Sequence, residues 1–327
     1  MTLIRIKERN LIIIKLISTH ILLLLGLVFA TLIFKKDIFL FISVTQSILL
    51  ILFITGYWEF FGIKFKWIYC ASVEILLLIS LSFRLYIGKT EMPTILGSSV
   101  LLLLQVYLFW LLIKICRVIF IRDNEKLEIG FPFEHGIYLI TDGGNSKICR
   151  MMNYHFHSSI HKKRNTNRSM LYATDIIKLS KEKTSFIPVT NEDYAIFNEN
   201  LYSPMEGLII KVINDIDDNK PFSGNYPYNT GNTVVVKKDY YYFLLGHMKK
   251  GSIVVKEGDS VNRGDLLGTV GNSGMSERPH LHMQLMKSED EDYWKGLGIC
   301  IQYKNRNLYK NRLIKINTLP NSRQPIG

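Results

Sequence analysis

The stretch Arg278–Leu285, RPHLHMQL, places two of the chain's eight histidines only two residues apart. After the proline, polar and apolar residues alternate, which is typical of a β-strand. Residues i and i+2 of a strand point to the same face, so His280, His282 and Gln284 share one face while the apolar residues face the core. The pattern predicts a half-buried strand with two imidazoles facing a common pocket. A polar strand face in solvent is the alternative interpretation.

The two parts of the chain differ in composition. The chain has 327 residues, a formal charge of +12 and 48% apolar residues. Long apolar runs dominate residues 11–121, and four of them approach the roughly 20 residues that a membrane-spanning helix needs. The runs cover about 11–34, 38–58, 67–88 and 94–118. They predict an N-terminal α-helical transmembrane bundle over 1–121, followed by a soluble domain over 122–327.

The C-terminal part alternates short β-like runs with turn residues. Runs of this length, separated by Gly, Asn and Asp, predict a mainly antiparallel β domain. Residues 214–230 form a long polar stretch, which predicts a loop at the wall of a binding groove. The predicted strands are 136–141, 207–213, 232–238, 240–248, 251–261, 265–274 and 280–286.

The four cysteines and the positive charge narrow the functional classes. Cys149 and Cys300 are the two cysteines of the soluble part, and they have neither CxxC spacing nor a disulfide-rich pattern, although a single bond between them stays open. The basic residues have no nucleic-acid motif around them. They indicate a solvated surface or attraction to an anionic polymer of the cell envelope.

Most of the histidines lie in three places along the soluble part. His155, His157 and His161 occur in NYHFHSSIH, His247 in LLGHMKK, and the remaining two in the stretch quoted first. Asp175 is flanked by apolar residues in YATDIIKL, which argues against mere surface charge. A catalytic zinc ion typically takes three N or O ligands and leaves a fourth position open. Two further histidines would then be available as general base and oxyanion donor.

Seven segments in the same order resemble the M23 family of zinc metallopeptidases, of the lysostaphin type, over about residues 130–290. Their order, spacing and turn glycines all agree with that family. The segments are NYH (153–155), YATDI (172–176), NEDY (191–194), YSPMEGLIIKV (202–212), GNTVVV (231–236), GHMKKGSIVVKEGDSVNRGDLLGTVGNSG (246–274) and PHLHMQL (279–285).

The resemblance implies a role for each site residue and Zn²⁺ as the cofactor. It makes Asp175 and His282 metal ligands, and it makes His247 and His280 the catalytic histidines. The compact family pattern places the first histidine ligand four residues before the Asp, whereas twenty residues separate His155 from Asp175. A longer-spaced variant is similar to this sequence, so His155 is the predicted third ligand. His157 and then His161 are the alternatives.

The resemblance also implies an activity and a place in the cell. We expect a zinc metalloendopeptidase in the bacterial cell membrane, multi-pass, that hydrolyses peptide bonds of cell-wall peptidoglycan. Tyr194, Asn232 and the 214–230 loop are its candidate groove residues. The alternatives are a catalytically inactive binding or scaffold domain of an envelope complex, a membrane peptidase that processes a small peptide, and a multispan transporter or sensor carrying a β domain.

The charge around the predicted spans disagrees with an extracytoplasmic peptidase domain. Basic residues favour the cytoplasmic side of a membrane. The bias places the domain inside the cell, but a wall hydrolase must face outward, and long domains often escape the rule. We therefore expect the domain outside. The basic residues that favour the inside are Arg5, Lys7, Arg9, Lys64, Lys66, Lys114, Arg117 and Arg122, against Lys35, Lys36 and Lys89.

Overall fold

The fold is described from a computed structural model. The structure describes residues 38–59, 63–87, 95–120, 125–157, 168–179, 188–223, 226 and 229–317. The chain divides into two compact units, Met1–Cys116 and Arg117–Gly327. The division at 121/122 into a transmembrane region and a peptidase domain stays a prediction.

The described residues ahead of the first β-strand contain three helices, α1 (Ile38–Thr55), α2 (Ile63–Ile87) and α3 (Ile95–Phe120). Within these residues only Ser99–Phe120 is long and apolar enough to cross a membrane. The apolar part of α1, Leu40–Thr55, has fewer than 18 residues. It therefore spans less than about 27 Å, short of the roughly 30 Å hydrocarbon core.

The predicted fold class, with its four-span helical bundle, is therefore wrong. Helix α2 carries Lys64, Lys66, Glu74 and Arg84 within its length, and charged residues are costly inside a bilayer. Counting apolar residues in a run does not weigh the cost of these charges or the shortness of the apolar part of α1. The predicted span 11–34 lies outside the described residues.

The unit Arg117–Gly327 is mostly antiparallel β-sheet over its described residues. Its main sheet has nine strands in the part that the structure describes. The strands are β1 Lys126–Glu128, β2 Gly136–Asp142, β3 Thr174–Leu179, β4 Asn200–Tyr202, β5 Gly207–Ile213, β6 Asn232–Lys238, β7 Tyr241–Met248, β8 Ser260–Val261, β9 Leu266–Thr269, β10 Leu281–Lys287, β11 Leu297–Gly298, β12 Cys300–Tyr303, β13 Arg306–Asn307 and β14 Leu313–Ile316.

The main sheet runs in the order β14-β2-β3-β10-β7-β6-β5-β8, and β11 also pairs with β10. Each of these pairs is antiparallel. Two small sheets accompany it, one of β1, β12 and β13 and one of β4 and β9. The order makes β10 a central strand, hydrogen-bonded on one side to β3 and on the other to β7.

Strand β10 is buried on both faces, unlike the half-buried strand that its alternation predicted. Leu281, Met283 and Leu285 join the large core of the unit, as expected for the apolar face. On the other face, Met286 packs into a small second cluster with Val235, Tyr242 and Leu244. His282 lies on the remaining part of that face and is only 3% exposed, so the neighbouring strands enclose it.

The predicted strand 251–261 is largely absent from the described sheet, where only Ser260–Val261 is a strand. The backbone N–H groups of this segment bond elsewhere, Val254 N–H to the Leu267 carbonyl oxygen at 3.0 Å and Gly258 N–H to that of Ile209 at 2.8 Å. Gly258 itself adopts φ +94°. A glycine at positive φ turns the chain. Ile253 and Val255 of this run contact the core from a loop, whereas Val254 is exposed.

Candidate metal centre

Three neighbouring strands bring the polar residues of the site to one end of the sheet. Asp175 on β3 lies directly opposite His282 on β10. On the other side of β10, His282 lies opposite Gly246 of β7, the residue before His247. Residues paired across strands project from the same face. The register therefore places Asp175, His282 and the region of His247 beside one another.

The carboxylate of Asp175 is the centre of a histidine cluster. Its Oδ1 lies 2.9 Å from His282 Nδ1, and its Oδ2 lies 3.4 Å from His155 Nε2 and 3.7 Å from His280 Nε2. Asp175, His155 and His282 are each at most 5% exposed. A carboxylate buried this deeply requires partners of opposite charge or a metal ion.

His155 reaches the cluster from a turn and not from a strand. It begins a short 3₁₀-helix, His155–His157, and its ring lies 5.0 Å from that of His282 between centroids. The Tyr154 ring stacks on it at 4.6 Å and 21°. His155 Nδ1 lies 2.7 Å from Asn153 Oδ1, which leaves Nε2 directed to Asp175.

His247 occupies an unusual backbone conformation for a residue in a strand. It has φ +60°, a region that non-glycine residues enter rarely and mostly at functional or strained positions. Its backbone N–H donates to the Thr230 carbonyl at 2.8 Å, and its carbonyl accepts from Gly271 N–H at 2.9 Å. These bonds hold the ring 4.7 Å from that of His280 and 5.6 Å from that of His282, measured between centroids.

The turn Gly271–Gly274, GNSG in the sequence, packs tightly against the backbone around His247. A Cβ on Gly271 would lie 2.4 Å from the Lys249 Cα, and one on Gly274 would lie 2.2 Å from the Gly231 nitrogen. Glycine is needed at both positions because of this close approach. The turn thereby delivers the Ser273 carbonyl oxygen to 2.8 Å from His247 Nδ1.

The hydrogen bonds of His247 and His280 determine which ring nitrogen carries the proton. A carbonyl oxygen only accepts, so Nδ1–H of His247 donates to the Ser273 carbonyl and Nδ1–H of His280 donates to the Arg278 carbonyl, each at 2.8 Å. In the neutral rings, both Nε2 atoms therefore hold a lone pair. Both imidazoles are ready to accept a proton.

The electrostatic environment favours neutral rings in this pair. Burial lowers the pKa of His247 well below its ordinary value, and the neighbouring His280 and His282 lower it further. Burial also lowers the pKa of His280, although the Asp175 carboxylate opposes this effect. Both groups are therefore free bases near neutral pH, the form that a general base requires.

The electrostatics of Asp175 and His155 run in the opposite direction. Burial would raise the pKa of Asp175, but His155, His280 and the hydrogen bonds of the histidines hold it well below its ordinary value. Burial would lower the pKa of His155, yet Asp175 raises it. The carboxylate is thus ionised, as a metal ligand must be.

The chemistry of the donor set fits a divalent metal ion. His155, Asp175 and His282 offer ligand atoms that all lie within 4.8 Å of one another, and all three residues are buried. Two imidazoles and one carboxylate form a donor set of catalytic zinc sites. His155, Asp175 and His282 can therefore hold a metal, while their assignment as ligands and that of His247 and His280 as catalytic residues stay predictions.

The other predicted site residues and the two cysteines have different positions and contacts. His157 lies in the same 3₁₀-helix as His155, and His161 lies outside the described residues. Asn232 is fully buried, and its amide bonds the backbone of Ile216 and Met248, so it holds these two backbone segments together. Tyr194 is half-buried, and its hydroxyl donates to the Pro188 carbonyl at 3.4 Å. Cys149 and Cys300 are both free thiols.

The sequence analysis assigned no role to three residues that surround the cluster, namely Asn153, Ser273 and Gln284. Gln284 was detectable, because the alternation of β10 puts it on the histidine face. Asn153 and Ser273 carry no periodic signal, since they act from a turn and a loop. Only the three-dimensional arrangement shows that they contact His155 and His247.

Residues 193–293 match the model of the family described as peptidase family M23. The match includes His247, His280 and His282. It does not include His155 or Asp175, which the structure brings to the same cluster from a preceding turn and from β3. The cluster therefore combines residues inside the matched segment with residues that precede it in the chain.

Two curated proteins are similar to short parts of the chain. Endolysin 2638A of Staphylococcus phage 2638A is 41% identical over 83 residues, covering 22% of this chain and 16% of that protein. Peptidoglycan DD-endopeptidase ShyA of Vibrio cholerae is 30% identical over 100 residues, covering 30% of this chain and 20% of that protein. The chain spans a fifth or less of the length of these relatives.

Among solved structures, a zinc containing peptidase from Vibrio cholerae is 19% identical, with a TM-score of 0.29, covering 51% of this chain and 37% of that one. The catalytic domain of lysostaphin from Staphylococcus simulans is also 19% identical, with a TM-score of 0.25, covering 39% of this chain and 74% of that one.

Proposed function

We propose that the unit Arg117–Gly327 is a zinc-dependent endopeptidase that hydrolyses peptide bonds of bacterial cell-wall peptidoglycan. The observation that carries this proposal is the single cluster of His155, Asp175, His282, His247 and His280. Three of its members lie within the segment that matches peptidase family M23, and one protein similar to part of the chain is a peptidoglycan DD-endopeptidase.

His155, Asp175 and His282 would hold the zinc ion. When bound, Zn²⁺ supplies a Lewis acid that polarises the scissile carbonyl and makes a water molecule more acidic. The buried, ionised carboxylate of Asp175 contributes the negative charge that retains a divalent cation. His155 Nε2 points toward that carboxylate, and the register of β3 and β10 fixes His282 opposite it.

His247 and His280 would move the proton of the reaction. Their Nδ1–H groups are engaged by backbone carbonyls, so each neutral ring presents Nε2 as a base. One ring takes a proton from the attacking water, and a protonated ring then donates to the oxyanion or the leaving amine. The carbonyl contacts prevent the rings from turning away, and general acid–base groups placed in this way contribute about 10²- to 10⁴-fold to rate.

The helix Ser99–Phe120 would attach the chain to the membrane. This helix has a mean hydropathy of 2.2, and large apolar side chains such as Leu103, Val106 and Phe109 are more than half exposed on it. Exposed apolar side chains on a long helix favour contact with lipid. For a peptidoglycan substrate the peptidase unit lies outside the cytoplasm, which a reporter fused after residue 327 would check.

The test uses the purified full-length chain in mild detergent. We expect about one zinc ion per chain by plasma emission spectrometry and release of new amino groups from purified peptidoglycan. Asp175→Ala should lose both, whereas His280→Gln should keep the zinc and lose the release of amino groups. An intact wild-type chain without zinc would overturn the proposal.

The same assay separates the alternative functions. Zinc binding with hydrolysis of a small peptide but not of peptidoglycan would favour a membrane peptidase for small peptides. Zinc binding without any hydrolysis would favour a binding domain. Both outcomes overturn the proposed substrate or activity while leaving the metal site in place.

A further inference from the structure

Two buried side-chain amides contact His155 and His282, the two predicted histidine ligands. Each amide contacts the ring nitrogen that faces away from Asp175. Asn153 is fully buried. Its Nδ2 donates to the carbonyl oxygens of Gly144 and Ala173, both at 2.8 Å. Because both amide hydrogens are used, Oδ1 must be the atom that faces His155. It accepts from the His155 backbone N–H at 3.2 Å and lies 2.7 Å from His155 Nδ1.

Gln284 makes the corresponding contact to His282. It is fully buried and lies two residues after His282 on the same face of β10. Its Oε1 lies 3.2 Å from His282 Nε2, and its Nε2 donates to the Met286 sulfur at 2.9 Å. With Oε1 as the acceptor, His282 carries its proton on Nε2 and keeps the lone pair of Nδ1 directed at Asp175, 2.9 Å away.

A short approach between a lone pair and an ionised carboxylate needs a cation between them or a proton on the ring. The Nε2–H group of His282 donates to the amide oxygen of Gln284, and the Nδ1–H group of His155 donates to the amide oxygen of Asn153. In both rings the nitrogen nearest Asp175 is therefore the one left without a proton in the neutral form. That is the arrangement a metal ligand requires.

We propose that Asn153 and Gln284 are positioning residues that select the metal-binding tautomers of His155 and His282. This inference rests on the proposed function, since it concerns the same zinc site. Carboxylates commonly do this for histidine ligands, but here both acceptors are neutral amides. The fixed carbonyl partners of Asn153 and the β10 register of Gln284 set the ring orientations before metal arrives.

A purely structural role would predict a different response to substitution. If Gln284 only fills its pocket, methionine, which has a similar volume and no charge, should replace it without effect, whereas glutamate should be harmful. If Gln284 orients His282 through Oε1, the order reverses, because Gln284→Glu keeps the acceptor and Gln284→Met removes it. The two variants therefore separate positioning from packing.

The experiment measures the zinc dissociation constant of the full-length chain by competition with a chromophoric chelator. We expect Gln284→Met and Asn153→Leu to bind zinc about 10- to 100-fold more weakly than wild type. Gln284→Glu should bind as tightly as wild type or more tightly. Gln302→Met is the matched control, because Gln302 is also buried but bonds Asn307. It should leave zinc affinity unchanged.

Thermal unfolding of each metal-free variant keeps the result interpretable. Gln284→Glu and Gln284→Met should both unfold cooperatively without zinc, and only their zinc affinities should differ as stated. Wild-type affinity in Gln284→Met, or equal losses in the Met and Glu variants, would overturn the inference while leaving the zinc site intact. A folded wild-type chain that binds no zinc would overturn the proposed function and this inference together.

Discussion

The two halves of the candidate site are positioned by different means. Asp175 and His282 lie on adjacent central strands, and a ladder of backbone hydrogen bonds sets their register. His155 and His247 depend on departures from regular structure, a 3₁₀ turn in one case and a positive φ in the other. The comparison shows that sheet register supplies the rigid part of the site, while individual contacts of side chains and glycines complete it.

The largest effect is expected from the loss of Asp175, one of the two residues that the sheet register positions. Asp175→Ala deletes the carboxylate that three histidines share, so zinc affinity should fall by more than the roughly 100-fold expected for a residue outside the ligand set. The measurement is chelator competition on the full-length chain. His157→Ala is the control and should retain zinc, and an equal loss in both variants would reassign the first ligand.

The next largest effect is a loss of catalytic rate with the zinc content unchanged. His280→Gln should lower kcat by about 10²- to 10⁴-fold, because it removes a proton acceptor. Zinc content should stay at the wild-type level, since His280 is outside the predicted ligand set. His135→Gln, at an exposed histidine, should have wild-type kcat. Loss of zinc from His280→Gln would show that this ring is a ligand instead.

A third prediction concerns a buried ion pair beside Asp175. Lys310 is 1% exposed, and its Nζ lies 3.6 Å from Oδ1 of Asp142, which β2 places opposite Asp175. Lys310→Met should reduce the free energy of unfolding by about 3–5 kcal/mol, because it leaves a buried carboxylate without its cation.

Urea unfolding with two further variants checks the cause of that loss. Replacing both partners, in Lys310→Met combined with Asp142→Leu, should recover much of the lost stability, since no charge is then left buried. Lys238→Met, at an exposed pair with Glu206, should leave stability unchanged. A double variant as unstable as Lys310→Met would mean that Lys310 acts by packing alone.

The smallest effect tests the irregular half. A residue other than glycine at φ +60° costs about 1–2 kcal/mol, and asparagine tolerates this conformation better than β-branched residues do. His247→Val should therefore be less stable than His247→Asn by about 1–2 kcal/mol in thermal or urea unfolding. Equal stabilities would mean that the backbone relaxes, and that Ser273 and Thr230 do not hold it in place.

The sequence predicted the regular half of this site better than the irregular half. Alternation along β10 put His282 on a polar face, and the apolar neighbours of Asp175 indicated burial, because period-two patterns survive in any strand. The path of His155 was not predictable, since Asn153 orients it through hydrogen bonds to Gly144 and Ala173. The positive φ of His247 left no signal either, because neither glycine nor asparagine marks the position.

The prediction of the helical part was wrong for a different physical reason. Apolar run length measures the cost of exposing side chains to water, but it does not say whether the helix is continuous or long enough to cross a bilayer. The apolar part of α1 is too short, and α2 carries charged residues within its length. In the described residues, Ser99–Phe120 is the helix that meets both conditions.

The pairing of Asp175 with His282 also has a consequence for biogenesis. The two side chains lie 2.9 Å apart but are separated by 107 positions along the chain. A ribosome-bound chain therefore lacks the complete donor set until β10 has been synthesised and has inserted between β3 and β7. Closure of such a distant pair is slow compared with local turns. Under the proposed function, metal loading would consequently be a late event that reports on completion of the sheet.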